Sequence, residues 1–226
     1  MEDTVSIKIR KIGIIGGTGK EGKGLAYRWA RAGYEVSIGS RQIEKALAAA
    51  GDVNSLLKNK NCVAGLSNFE VATQADLVVV TVPYSVHKEM LEILKPVVQG
   101  KIVIDVTVPL VPPKVTKVQM PPAGSAAQEA QYILGEGVQV CSAFQNISYE
   151  HLLRDEAIEC DVLVCGTSKV ARNEVLKLVS AAGLIGWDAG PIENSAVVEG
   201  MTSILIGINK QYGVQSAGIK ITGVTL

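Results

Sequence analysis

A run of glycines early in the chain has the residue types and spacing of a phosphate-binding turn. Gly17, Gly19 and Gly22 follow an apolar stretch that ends at Ile15, and they open a segment with helical periodicity. In a dinucleotide-binding unit, the first glycine allows a tight turn, the second lets the backbone approach the pyrophosphate, and the third lets helix and strand pack closely. The free N–H groups of the helix start would face the phosphates. The alternative is a glycine-rich turn that only joins a strand to a helix. The predicted cofactor contacts in this segment are Gly17, Thr18, Gly19, Lys20, Glu21 and Gly22.

The residues after the second predicted strand indicate which dinucleotide would fit. An NAD-binding unit commonly has an acidic residue there, which accepts hydrogen bonds from the ribose hydroxyls. This chain instead has Gly39, Ser40 and Arg41, with Lys45 one helical turn beyond. A guanidinium can pair with a 2′-phosphate through two bonds, and a serine hydroxyl can donate to the same group. The pattern predicts NADP, with an ordinary polar helix start as the alternative.

Two further features bear on chemistry at this site. Val82 and Pro83 end the fourth predicted strand, where they would form a wall against the nicotinamide half of the cofactor. Alternatively, Pro83 simply starts the next helix. His87 and His151 are the obvious acid–base candidates, but neither has an evident partner, so both are predicted to be structural or surface residues. No catalytic side chain is predicted, and a redox reaction here would need no protein acid.

Composition narrows the class of protein. Among 226 residues, Lys and Arg together number 22 and Asp and Glu together also number 22, which predicts no nucleic-acid or membrane partner. The spacing of Cys62, Cys141, Cys160 and Cys165 matches no zinc site, so no metal is expected and the thiols are predicted to be buried and reduced. The charged N-terminus lacks a signal-peptide pattern, and the expected location is cytoplasmic.

The elements that must position these residues alternate between strand and helix. Predicted strands end near Ile15, Gly39, Val82 and Val106, and helical stretches separate them. This alternation predicts an α/β fold with a doubly wound Rossmann parallel sheet. Five of the eight prolines lie between Pro109 and Pro122, which predicts a long loop.

The second half of the chain is expected to enlarge this sheet. Added strands are predicted at 138–142, 161–165 and 184–189, with helices at 125–134 and 169–182. A small C-terminal helical segment covers 193–209, and Pro191 suits its first turn. The predicted division is an NADP-binding Rossmann domain over 1–190 and a C-terminal helical segment over 191–226 that completes a second-substrate cleft.

These motifs together resemble a known family, the NADPH-dependent reductases of the 8-hydroxy-5-deazaflavin coenzyme F420. The glycine segment and the Gly39–Arg41 stretch with Lys45 carry the first part of the resemblance. Short motifs in matching order carry it through nearly the whole chain from Ile9. They are Thr81-Val82-Pro83, Ser125-Ala126-Ala127, Val164-Cys165-Gly166, Asp188-Ala189-Gly190-Pro191, Asn194-Ser195, Val198-Glu199 and Gly218-Ile219-Lys220.

The resemblance implies an oxidoreductase that passes a hydride between C4 of the nicotinamide and C5 of the deazaflavin. It implies that Thr18, Ser40, Arg41 and Lys45 hold NADP. The deazaflavin ring would lie near 142–148 and the helix from 194 to 201. The residues implied to bind this second substrate are Gln145, Asn146, Ile147, Asn194 and Met201.

One strip departs from the family pattern. Where the family has a histidine followed two residues later by Ile-Pro, this chain has Gln145-Asn146-Ile147-Ser148. A glutamine can donate and accept hydrogen bonds but cannot carry a charge. Two other functions therefore stay open: an NADP-dependent reductase of a small imine, ketone or hydroxy acid, and a protein that binds NADP without turnover. The sparse charge of the terminal helix, 197–208, predicts a homodimer.

Overall fold

A computed structural model of the chain describes residues 8–57 and 63–224. Within these ranges, eight strands form one sheet in the order β3-β2-β1-β4-β5-β6-β7-β8. All neighbouring strands are parallel except β6 and β7, which are antiparallel. The strands are β1 Lys11–Ile15, β2 Glu35–Ser40, β3 Val63–Ser67, β4 Leu77–Val80, β5 Ile102–Asp105, β6 Gln139–Ser142, β7 Asp161–Gly166 and β8 Ile185–Gly190.

The strand order has a reversal point at β1, which lies between β2 and β4. From β1 the chain first extends the sheet in one direction through β2 and β3, and then in the other through β4 and the later strands. Ligands of such sheets bind beyond the carboxyl ends of the strands at this point. The predicted doubly wound Rossmann fold with added strands is therefore confirmed.

The described residues form eight α-helices, and most of these pack against the faces of the sheet. They are α1 Lys20–Arg31, α2 Ile43–Leu57, α3 Asn68–Gln74, α4 His87–Leu94, α5 Ala126–Leu134, α6 Tyr149–Leu152, α7 Lys169–Ala181 and α8 Ser195–Tyr212. The sequence analysis did not predict the short helices α3 and α6. A capping box did mark α3, because the Ser67 hydroxyl accepts from the Glu70 N–H and the Glu70 carboxylate accepts from the Ser67 N–H.

The core is built from Val, Ile, Leu and Ala on both faces of the sheet. Two of the aromatic residues meet in the core, where the rings of Trp29 and Phe144 lie edge to face with centroids 5.7 Å apart. The indole N–H of Trp29 donates to the Leu178 carbonyl over 2.9 Å, so this large side chain is buried without an unpaired donor. The contact ties α1, α7 and the segment after β6 together.

Two irregular segments lie over the carboxyl edge of the sheet. The predicted loop is present between β5 and α5, where residues 106–125 form neither helix nor strand. After α8 ends at Gly213, residues 214–224 return to the first residue of β7. There the Asp161 N–H donates to the Ile219 carbonyl over 2.8 Å, and the Asp161 carboxylate accepts from the Ile221 N–H, also over 2.8 Å.

Three of the four cysteines are described, and Cys141, Cys160 and Cys165 are free and buried. Cys62 lies outside the described residues. The described ranges contain no group of His, Cys, Asp and Glu arranged for a metal ion. None of the helices in those ranges is both long and apolar enough to cross a membrane.

Candidate functional site

The glycine turn at the end of β1 begins with a left-handed residue. That residue is Gly16, with φ of +69°. Gly17 follows in the tight turn, where a Cβ would lie 2.9 Å from a methyl carbon of Ile14, and it donates its N–H to the Gly39 carbonyl over 3.1 Å. A Cβ on Gly22 would lie 2.5 Å from the Gly17 Cα, so the third glycine allows the helix to pack on the turn itself.

Gly19, the N-cap residue of α1, lies where the backbone can be approached from outside. A Cβ built on Gly19 would meet no atom within 4 Å, and Gly19 has no side chain to cap the helix. The first N–H groups of α1 have no side-chain cap, and they lie at the positive end of a twelve-residue helix. This cradle fits a pyrophosphate. Lys20 extends from the same turn towards α6, with its ammonium 4.6 Å from the centre of the Tyr149 ring.

A small pocket of about 240 Å³ lies beside the turn, at the end of β2. It collects six of the predicted cofactor contacts, and none of the described residues that line it is acidic. The Ser40 hydroxyl accepts from the Gln42 N–H over 3.1 Å, which leaves its own hydrogen free to donate to a ligand. The predicted residues in its lining are Thr18, Ser40, Arg41, Lys45, Val82 and Pro83. The pocket therefore suits a phosphate monoester.

A larger cavity of about 620 Å³, here called the cleft, begins where the small pocket ends. Val82 and Pro83 line both spaces, so a continuous groove passes along the carboxyl edge of the sheet. The cleft also receives Glu21 from the first turn of α1. Its other predicted residues are Gln145, Asn146 and Ile147, which come from the segment after β6. Residues far apart in the sequence thus lie along one groove.

Strained backbone shapes the strip after β6. Phe144 has φ of +72°, an unusual value for a bulky residue, and its ring is fixed against Trp29. The turn directs the Gln145 side chain into the interior, where its amide N–H donates to the Asp105 carbonyl over 2.8 Å. Thr202 donates to the Gln145 carbonyl over 3.0 Å, so α8 holds the strip from the other side.

The remaining predicted substrate residues lie away from the lining of the cleft. Asn194 is exposed and donates to the Ala189 carbonyl over 2.6 Å, and Met201 lies one position before the residue that faces inward. The helix α8 instead contributes Thr202, Leu205, Ile206 and Asn209. Their spacing of three and four residues is a signal that the sequence analysis could have used.

Parts of the two irregular segments also form walls of the cleft, and the sequence analysis missed them. The loop between β5 and α5 and the segment after α8 have no periodic pattern that would show which of their residues face inward. The lining residues from these segments are Val106, Thr107, Val108, Leu110, Pro112, Val115, Gln215 and Ala217.

Comparison with known proteins places this chain in a family. The family model described as "NADP oxidoreductase coenzyme F420-dependent" matches residues 11–109. A Methanocaldococcus jannaschii protein named F420-dependent NADP reductase is 38% identical over 224 residues, covering 96% of this chain and 100% of the relative. This chain belongs to the F420-dependent NADP reductase family. The resemblance inferred from the motifs is confirmed.

Further relatives agree with this membership. A Methanothermobacter thermautotrophicus protein of the same name is 36% identical over 225 residues, covering 96% of this chain and 97% of the relative. The crystal structure of an Arthrobacter sp. FB24 protein, provisionally described as an F420-dependent NADP reductase, superposes with a TM-score of 0.76. It covers 95% of this chain and 100% of the other at 22% identity, which supports the shared fold.

This family member keeps a cluster of ionisable side chains behind the cleft wall. His87, which is fully buried, lies with its Nε2 2.7 Å from the Asp105 carboxylate and its Nδ1 3.7 Å from Glu129. The carboxylate of Glu199 accepts from the N–H groups of Ala126 and Ala127, at the start of α5, over 2.7 and 3.1 Å. The sequence predicted a structural role for His87, and its contact with the buried carboxylate of Asp105 gives a physical reason for that role.

Burial and neighbouring charges shift the pKa values in this cluster. Burial alone lowers the pKa of His87, but the carboxylates of Asp105, Glu129 and Glu199 outweigh it and raise the pKa above its ordinary 6.5. Burial raises the pKa of Glu199 to about 8. Burial also raises the pKa of Glu21, at the mouth of the cleft, to about 8, although its side chain keeps some exposure. A protonated Glu21 would not repel a nearby phosphate.

Replacing His87 by Ala should lower the free energy of unfolding by about 3 to 5 kcal/mol at about pH 6, because Asp105 would keep a buried charge without its partner. Both His87 and Glu199 have raised folded-state pKa values. Their contributions are therefore fully present below the unfolded values and are lost as pH rises through the folded ones. Urea unfolding should show wild type losing stability from about pH 4.5 to about pH 8 through Glu199 and from about pH 6.5 upward through His87. His87→Ala should lose less stability than wild type above about pH 6.5.

The other histidine provides the matched control. His151 lies in α6, where its main-chain carbonyl accepts from the Arg28 guanidinium over 2.9 Å. His151→Ala should change the free energy of unfolding by no more than about 0.5 kcal/mol. Equal losses for the two variants would contradict the assignment of an ion pair to His87.

Proposed function

We propose that this chain transfers a hydride between NADP(H) and the 8-hydroxy-5-deazaflavin coenzyme F420. The observation that carries the proposal is the length of the match to the F420-dependent NADP reductases. At 36 to 38% identity it covers 96% of this chain, so it includes the cleft as well as the nucleotide-binding turn. The activity is that of an NADP-dependent oxidoreductase.

NADP would occupy the groove from the small pocket towards the cleft. Thr18, Ser40, Arg41 and Lys45 would hold the 2′-phosphate end, and the open N–H groups around Gly19 would hold the pyrophosphate. Val82 and Pro83 would lie against the nicotinamide half because they border both spaces. When bound, the two cofactors supply the hydride donor and acceptor carbons, C4 of the nicotinamide and C5 of the deazaflavin.

The protein would contribute position and the exclusion of water to this reaction. The cleft has a mostly apolar surface formed by six separate segments, among them the strip with Gln145, Asn146 and Ile147 and the helix α8. We assign residues 1–190 to NADP binding and 191–226 to completing the second-substrate cleft. This division is supported by the inward face of α8 and by Gln215 and Ala217 beyond it.

Replacing Arg41 by Ala should weaken NADPH binding by roughly tenfold or more and leave NADH binding nearly unchanged, because NADH has no 2′-phosphate for the guanidinium. Dissociation constants from nicotinamide fluorescence would measure both effects. Arg31, an exposed arginine at the far end of α1 that pairs with Asp155, supplies the control. Arg31→Ala should leave the ratio of the two constants unaltered. An equal loss of both nucleotides in Arg41→Ala would show that Arg41 does not bind the phosphate.

The deazaflavin assignment is tested by the absorbance of oxidised F420 mixed with NADPH and the protein. Reduction at C5 should bleach the deazaflavin band. Gln145→His should retain or improve this rate, because it restores the side chain of the family pattern. Gln145→Leu should cost about 1 to 3 kcal/mol in kcat/KM, because it leaves polar groups in the lining of the cleft unpaired.

Gln99 gives a matched control for the Gln145 variants. It also donates its amide N–H groups to main-chain carbonyls, those of Lys95 and Leu134, but it does not line the cleft. Gln99→Leu should leave the bleaching rate per folded molecule unchanged. Tight NADPH binding without any bleaching by wild type would overturn the deazaflavin assignment and favour the small imine, ketone or hydroxy acid.

We propose that two copies of the chain associate through the outer face of α8. Apolar residues recur along this face at spacings of seven, four and four, and they remain exposed: Val197 by 69%, Ile204 by 54%, Ile208 by 37% and Tyr212 by 69%. An amphipathic helix normally buries its apolar stripe, and a second copy offers a matching stripe by symmetry. The cytoplasmic location expected from the sequence remains a prediction.

Introducing a charge into the stripe should separate the copies. In light scattering after size exclusion, wild type should have the mass of two chains, and Ile204→Lys should shift to the mass of one because a lysine would be buried without a partner. Tyr132→Lys is the control, since Tyr132 on α5 is 87% exposed but lies outside the stripe. A single-chain mass for wild type, or an Ile204→Lys variant that stays paired, would contradict this interface.

A further inference from the structure

One buried polar residue joins the two parts of the proposed nucleotide site without belonging to either motif. Asn68 is the first residue of α3, and only 7% of its surface is exposed. Its Oδ1 accepts from the N–H of Gly16, the left-handed residue of the glycine turn, over 3.0 Å. The bond spans 52 positions of sequence and fixes the start of the turn.

The same oxygen is also close to the end of β2. A Cβ on Gly39 would lie 2.6 Å from the Asn68 Oδ1, so the absence of a side chain at Gly39 is what admits the asparagine. Gly39 is followed directly by Ser40 and Arg41. Asn68 is therefore packed between the turn proposed to bind the pyrophosphate and the strand end proposed to bind the 2′-phosphate.

The side chain of Asn68 is part of the lining of the small pocket, together with Thr18, Ser40 and Arg41. Its orientation is settled by its partners. The oxygen faces the Gly16 donor, and the Nδ2 group lies 3.7 Å from the Met90 sulfur, a weak acceptor. Asn68 thus holds the main chain of the glycine turn without adding a charge to the lining of the pocket.

We propose that Asn68 is a positioning residue for the glycine turn, and that its neutrality helps the small pocket to select NADP over NAD. An aspartate could accept the same bond from Gly16. It would also place a carboxylate in the pocket that holds Arg41 and Lys45, where it would repel the 2′-phosphate and compete for its cations. This inference rests on the proposed binding of NADP and not on the identity of the second substrate.

Two variants separate the positioning role from the role of charge. Dissociation constants for NADPH and NADH would be measured by nicotinamide fluorescence at about pH 8, where a carboxyl group beside two cations is ionised. Asn68→Ala should weaken both nucleotides by roughly tenfold, because it removes the acceptor that fixes the turn. Asn68→Asp should keep NADH binding within about threefold of wild type and weaken NADPH by roughly tenfold or more.

Asn54 provides a matched control for the loss of an asparagine that bonds to the main chain. Its side chain donates to the Val63 carbonyl over 2.9 Å and accepts from the Val63 N–H over 3.0 Å, and it lies outside both ligand spaces. Asn54→Ala should reduce stability without altering either dissociation constant, so it reports what a purely structural loss does.

Three results would overturn the inference. They are nucleotide binding by Asn68→Ala that matches Asn54→Ala, NADPH binding by Asn68→Asp that matches wild type, and equal losses of NADPH and NADH in Asn68→Asp. Wild type would be measured first. A wild-type chain that bound neither nucleotide would count against the proposed function itself, which keeps the two failures distinct.

Discussion

The left-handed backbone at Gly16 is the constraint on which both halves of the candidate site depend. A side chain there would be strained, and its Cβ would lie 2.6 Å from a methyl carbon of Val82. Because Val82 lines both the small pocket and the cleft, the turn is in contact with the wall shared by the two spaces. The position of this one residue sets where α1 starts, how near β2 lies, and how far the shared wall projects.

Charge in this protein is arranged locally, since acidic and basic residues are equal in number. Arg41 and Lys45 border a pocket whose described lining has no acid, while Asp105 and Glu199 lie buried with His87 behind the cleft. Main-chain N–H groups at the start of α5 bond to the carboxyl group of Glu199, whose raised pKa favours its protonated form at neutral pH, and the imidazole of His87 pairs with Asp105. The groove can therefore attract a phosphate although the formal net charge of the chain is zero.

The sequence predicted the features that depend on local pattern. Alternating strands and helices predicted the sheet, and the fingerprint with Ser40, Arg41 and Lys45 predicted residues that the fold brings to one pocket. The sequence could not predict contacts that only tertiary packing sets, such as that of His87 with Asp105. It also could not predict which residues of the loop and of the segment after α8 face the cleft. The glycine spacing predicted a tight turn at Gly17, but it could not predict that Gly16 before it adopts the left-handed conformation beside Val82.

The irregular segments over the sheet edge have a consequence for how this family can diversify. The nucleotide half is built into strands and helices whose packing is shared with the core, so most changes there would also affect folding. The loop from 106 to 125 and the segment after α8 contribute cleft residues such as Leu110, Pro112, Gln215 and Ala217 while adding no strand to the sheet. Substitutions in these segments can therefore alter the shape offered to a second substrate at little cost to the scaffold. Members of the family can in this way keep the strands and helices of the nucleotide half and change the shape of the cleft beside it.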